Sequence, residues 1–221
     1  MRYWLDTEFD EKKLFQSASS NLEMMTIDLI SIGIVAEDGR ELYLQSSRFS
    51  PQIVSDWVRD NVLPHLSLCP HAKYYSEHTV FGDHIYHFER GQCTFEEKAK
   101  GITGFSGVKM PDAYLIGAHA DCYWRTKEQI KNELVAFMDT EKYGYPELVG
   151  WCSAYDFVVF CQLWGTMMDV PRFIPHYMQD IQSLLDKESI TDDMLPEQEG
   201  QAHNALADAL QIKKIWERLQ K

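Results

Sequence analysis

Residues 1–9, MRYWLDTEF, read as a β-strand of alternating bulky side chains that opens directly into an acid pair, Asp6 and Glu8. In a strand, residues i and i+2 point to the same face, so both carboxylates can reach one metal ion. The pair is weak evidence by itself, because 34 acids in 221 residues yield acid-x-acid about five times by chance. The residues beyond that strand say more about the fold. A polar loop at 10–23 leads to two further strands, 26–36 and 40–45, joined by a turn at Glu37, Asp38 and Gly39. Three strands before any helix imply an antiparallel meander, to which later crossover helices add parallel strands.

The helices are read from capping and periodicity. Ser50 and Pro51 start a helix through Val62, with proline at the first helical position. Thr126 and Gln129 make a capping-box pattern ahead of Ile130, Leu134, Phe137 and Met138, which share one helical face. Gly144 then leads into the apolar run 148–152 and on to Asp156, after which Phe157, Phe160, Cys161 and Trp164 recur with helical spacing. Asp156 therefore falls at a strand-to-helix junction, where a carboxylate is favoured near the helix N-terminus. A plain helix-start aspartate would look the same. Near the C-terminus, Leu206, Ala209, Leu210, Ile212, Ile215, Trp216 and Leu219 describe an amphipathic helix. His203 and Asp208 are five apart, about 140° on a continuous helix, so His203 belongs before the helix or in its first turn and Asp208 inside it. That suits a loop base and a fixed metal ligand.

Taken together, Asp6 with Glu8, Asp156, and His203 with Asp208 resemble the three motifs of the DEDDh branch of DnaQ-like 3'-5' exonucleases. The phrases LDTEF, LISIGIV, WVRDNVLP, AYDFVVF and HNALADA look closest to the small exoribonucleases related to ribonuclease T, the ribonuclease AS group. The resemblance covers roughly 1–64 and 124–219. It implies a ribonuclease H-like α/β fold, a mixed five-stranded sheet flanked by helices, in a single domain over 1–221. It also implies a metal-dependent exonuclease that trims single-stranded RNA from the 3' end with two divalent cations, Mg2+ or Mn2+. Hydrolysing a phosphodiester needs an in-line hydroxide and positive charge against the phosphate oxygens, and hard cations held by carboxylates supply both. By resemblance, Asp6 bridges both ions, Glu8 and Asp208 complete the nucleophile-side site, Asp156 acts mainly through metal-bound water, and His203 is the general base. An imidazole accepts a proton at neutral pH. Phe9 and Tyr155, flanking the acids, are candidates to stack on the terminal base, and the Thr7 backbone to approach the terminal ribose. Phe9 reads equally as core. The resemblance further suggests a homodimer.

Composition bounds these readings. At 221 residues and 45% hydrophobic content the chain can bury one sizeable core. A net charge of −13 argues against nonspecific tracking along duplex nucleic acid, which depends on many phosphate contacts. Lys98 with Lys100, Arg125 with Lys127 and Lys131, and Lys213 with Lys214 and Arg218 could guide a short strand, or be ordinary solvated faces. Five cysteines, an odd number at irregular spacing, fit a reducing cytoplasm. No signal peptide is expected, because cleavage of a leader would remove Asp6 and Glu8, and no apolar stretch is long enough to cross a bilayer.

The stretch from about 65 to 123 has no counterpart in the resemblance and reads as an insertion. Cys69, His71, His78, His84, His87, Cys93, His119 and Cys122 invite a zinc reading, but none of the pairs has the spacing of strong sites. HTVFGDHIYHFER alternates like a hairpin strand. Two alternatives to an exoribonuclease stay open at this level: a DNA exonuclease or short-oligonucleotide trimmer of the same family, and a catalytically silent binding scaffold. Against the scaffold stands an uncompensated acidic cluster, which binding alone would not need.

Overall fold

A computed structural model describes residues 1–16, 23–46, 54–67, 80–81, 84–85 and 123–220. Strands β1 (Arg2–Gln16), β2 (Glu23–Ala36) and β3 (Glu41–Ser46) form the antiparallel meander expected from three strands preceding the first helix. Gly39, at φ +88°, takes the left-handed position of the turn between β2 and β3. After helix α1 (Asp56–Asn61) comes a separate two-stranded ladder, β4 (Val80–Phe81) with β5 (His84–Ile85). The chain then adds β6 (Trp124–Arg125), α2 (Lys127–Phe137), α3 (Thr140–Tyr143), β7 (Glu147–Gly150), α4 (Ala154–Gln162), β8 (Gln179–Asp180), α5 (Ile181–Glu188) and α6 (Ala205–Leu219). The main sheet runs in the order β6-β3-β2-β1-β7-β8, with β6, β7 and β8 each parallel to a neighbour.

Three details differ from the sequence reading. The described sheet has six strands rather than five, because two-residue β6 joins the edge beside β3. The segment taken as a polar loop at 10–23 is largely strand: β1 runs to Gln16 and pairs with β2 as far as Gln16 opposite Glu23. Antiparallel pairing satisfies the backbone whatever the side chains, so polar residues do not end a ribbon that extends beyond the core. The helix assigned to 50–62 starts later. Ser55 is its N-cap, accepting from the Val58 amide at 3.2 Å, and residues 51–53 lie outside the described part. The zinc candidates also lie outside it, apart from the backbone of His84.

Alternation along β1 divides the core in two. Tyr3 and Leu5 face Ile32, Ile34, Ile130, Leu134 and Phe160, under α2 and α4. Trp4 faces Val149, Ile181, Leu185, Ile212, Ile215 and Trp216, under α5 and α6. The sheet is therefore buried on both sides, an α/β layer arrangement. The capping box on α2 is present as read, with Thr126 and Gln129 bonded reciprocally.

Candidate active site

β1 carries Asp6 and Glu8 to the point where the sheet's neighbours change. Its partner β7 pairs only with Arg2, Tyr3 and Trp4, so beyond Trp4 that edge of β1 is open to the start of α4. Asp156, in the first turn of α4, fills the opening. Its Oδ1 accepts from the Thr7 amide at 2.9 Å and from the Thr7 hydroxyl at 2.6 Å. Both Thr7 and Asp156 are buried. Thr7 thus commits its two donors to one carboxylate oxygen and fixes the loop-to-helix junction against the strand.

The register of β1 against β2 slips between Glu8 and Phe9, where Glu8 opposes Ser31 but Phe9 opposes Leu29. The bulge leaves one extra residue on β2 and re-aims the strand just past the acids. Phe9 then stacks on Tyr155, with ring centroids 5.9 Å apart and planes 15° from parallel. Phe9 is half-buried, whereas Tyr155 is 54% exposed, so one ring supports the other at the surface.

α6 brings the remaining groups from the opposite side of the sheet's edge. Asn204 caps it by accepting from the Ala207 amide, and Asp208 lies in its first turn. His203 sits just before the cap at φ +63°, a left-handed conformation in which a non-glycine residue is uncommon. Its ring meets Trp57 of α1 edge-on, centroids 4.9 Å apart. Asn204 Nδ2 also donates to the His65 carbonyl at 3.4 Å, tying this junction to the turn after α1. Asp208 accepts a hydrogen bond from Gln198.

Asp6, Glu8 and Asp208 each offer one ligand atom, and these atoms lie within 4.8 Å of one another. Such crowding raises the proton affinity of every member. Burial, then the charges of Asp156, Glu8 and Asp208, push the Asp6 carboxyl well above the ordinary range. Burial, then the charges of Asp208 and Asp156, raise Glu8 to about 8. Asp156 is raised by burial to about 6, the two Thr7 bonds pulling the other way. Asp208 is raised by burial and eased by Gln198 and His203. Every influence on Asp6 and Glu8 acts in one direction. Crowded acids of this kind, Glu8 and Asp156 buried and Asp6 and Asp208 partly so, suit a hard divalent cation, which would bind their ionised form and reverse the penalty.

The structure thus gathers Asp6, Glu8 and Asp208 around one point, with His203 beside Asp208, Asp156 held close by Thr7 and the Phe9–Tyr155 stack next to it. Thr7 donates to Asp156, a role that reading the motif did not give it. Nor did the sequence point to Gln198 or Trp57, which lie in different segments from the groups they touch. The basic clusters are largely occupied. Arg125 pairs with Glu133, Lys131 with Glu128, Lys213 with Glu217 and Lys214 with Glu199. Lys98 and Lys100 are outside the described residues.

Residues 112–220 match the family model for the 3'-5' exoribonuclease Rv2179c-like domain. Over 209 residues the chain is 30% identical to the 3'-5' exoribonuclease Rv2179c of Mycobacterium tuberculosis strain H37Rv, a span covering 95% of this chain and 87% of that protein. The 3'-5' exoribonuclease MT2234.1 of strain CDC 1551 of the same organism matches to the same extent.

Proposed function

From its membership of the Rv2179c-like 3'-5' exoribonuclease family, which makes the chain a hydrolytic 3'-5' exoribonuclease, we propose a metal-dependent DEDDh mechanism that releases nucleoside monophosphates from the 3' end of single-stranded RNA. The observation that carries this reading is the convergence of Asp6 and Glu8 from β1 with Asp208 from α6, ligand atoms within 4.8 Å. The strand order β3-β2-β1-β7-β8, with an antiparallel meander and then parallel strands, supports a ribonuclease H-like fold. The segment 65–123 would then be an insertion in a single domain.

Asp6, Glu8, Asp156 and Asp208 would hold two Mg2+ or Mn2+ ions. When bound, these supply positive charge against the phosphate oxygens and make water acidic enough to attack. His203, in a loop beside Asp208 and free of the regular helix, accepts the proton of the attacking water. Thr7 keeps Asp156 ionised and aimed by donating to one of its oxygens, leaving the other for the cation. The Tyr155 ring, braced by Phe9, offers a face on which the terminal base stacks, with the Thr7 backbone beside the terminal ribose. The sequence resemblance to the ribonuclease T-related exoribonucleases leads us to propose a homodimer, which sedimentation would test.

The deciding experiment digests 5'-labelled single-stranded RNA and matching DNA with Mg2+, Mn2+ or chelator, alongside Asp6→Ala. A ladder that shrinks from the 3' end, faster on RNA, and stops with chelator or Asp6→Ala is expected. Cleavage that survives chelation or the substitution would overturn the mechanism.

A further inference from the structure

Asp6 and Gly33 are direct partners across the β1–β2 ladder. Opposed residues on antiparallel strands point to the same face, so Gly33 leaves bare sheet beside the Asp6 carboxylate. The start of α6 rests on it. A Cβ at Gly33 would lie 2.2 Å from the Ala205 carbonyl oxygen, 2.3 Å from its carbon and 2.4 Å from the Leu206 amide nitrogen. All three are backbone atoms, so no side-chain rotation relieves the overlap. Gly33 is not among the positive-φ glycines, which leaves space rather than torsion as its reason for being glycine. A glycine inside a strand marks the same kind of close backbone approach elsewhere.

The end of α6 seated on Gly33 carries the active-site groups. His203 lies two residues before Ala205 and Asp208 three residues after it. Ala205 and Ala209, both fully buried, keep the helix face thin along this turn. We propose that Gly33 is a positioning residue for the exonuclease reaction: by letting the α6 backbone lie directly on β2, it sets the distance at which Asp208 meets Asp6 and Glu8. This rests on reading those acids as a divalent-cation cage. An ordinary Cβ contact begins at 3.4 Å, so Gly33→Ala requires the start of α6 to retreat by about 1 Å. A misplacement of that size costs roughly a hundredfold in rate.

The test titrates Mn2+ calorimetrically into the wild type, Gly33→Ala, Asp208→Glu, the double variant and Ile215→Ala, with kcat and KM on labelled RNA and circular dichroism for folding. Gly33→Ala is expected to bind Mn2+ about tenfold or more weakly and to lose kcat about a hundredfold, with KM little changed. Asp208→Glu weakens binding alone but restores part of it in the Gly33→Ala background, where its extra methylene spans the widened gap. Ile215→Ala opens a cavity farther along α6, lowering the thermal midpoint while Mn2+ affinity and kcat hold. If Gly33→Ala does not fold, Ala209→Val lifts the same helix through a side-chain contact and is expected to weaken Mn2+ binding. Folded Gly33→Ala or Ala209→Val with unchanged Mn2+ affinity, or no recovery by Asp208→Glu, would overturn the proposal. Failure of the wild type to bind Mn2+ would instead overturn the cage itself, and the proposal with it.

Discussion

Stripped of divalent cations, the protein should lose stability as pH rises through neutrality, and Glu8→Gln should remove much of that loss. Glu8 is 8% exposed, and burial with the charges of Asp208 and Asp156 lifts its carboxyl from 4.5 to about 8. A carboxyl raised on folding holds its proton better in the folded chain than in the unfolded one. Its contribution is therefore fully present below about pH 4.5 and is lost as pH climbs toward 8. At about 1.36 kcal/mol for each unit of difference, the loss reaches about 4 kcal/mol at pH 8 and stays under about 1 kcal/mol at pH 5. Glutamine copies the protonated acid in size and keeps a donor for Asp208, so it should not share the decline. With a urea dependence of about 2 kcal/mol/M, the variant's unfolding midpoint should exceed the wild type's by about 2 M at pH 8 in chelator, and nearly match it at pH 5. Saturating Mg2+ should raise the wild-type midpoint more at pH 8 than at pH 5. Midpoints of wild type and variant that fall in parallel between these pH values would refute the reasoning.

Other expectations separate the roles within the site. His203→Ala should lower kcat by about 10²- to 10⁴-fold while leaving Mn2+ affinity nearly intact, whereas Asp6→Ala should damage both; equal loss of affinity in the two variants would contradict the assignment. Thr7→Val removes the 2.6 Å hydroxyl bond to buried Asp156. It should cost about 1–3 kcal/mol of stability and reduce kcat, with Thr7→Ser restoring both. Tyr155→Ala should raise KM for RNA about 5- to 150-fold, in line with the loss of one stacked base, and Tyr155→Phe should behave as wild type. A Tyr155→Ala variant with unchanged KM would remove the ring from the substrate path.

Much of this architecture is legible before any coordinates. Tyr3, Trp4 and Leu5 are all bulky because they face two cores in turn, and the helix at Ala205–Leu219 shows its apolar stripe because one face meets the core. The Thr126 and Gln129 pattern marks a helix start because the cap is local chemistry. Features that depend on distant partners are not legible. The ribbon past Asp10 is polar, and only its pairing with β2 makes it strand. β6 spans two residues, too few to show any period. The acids announce themselves by type and order, but Thr7 beside Asp156 and Gln198 beside Asp208 become partners only through folding across 149 and 10 residues. Gly33 did leave a signal, a lone glycine inside an apolar strand pattern. The sequence shows that something approaches there, not that α6 does.

The most direct test of the central claim is the anomalous scattering of Mn2+ in crystals of the protein grown with a nucleoside monophosphate. Two manganese peaks are expected among the carboxylates of Asp6, Glu8, Asp156 and Asp208, with the nucleotide phosphate against them and the His203 ring facing its open side. Absence of manganese from these four residues, or a phosphate seated elsewhere, would contradict that claim.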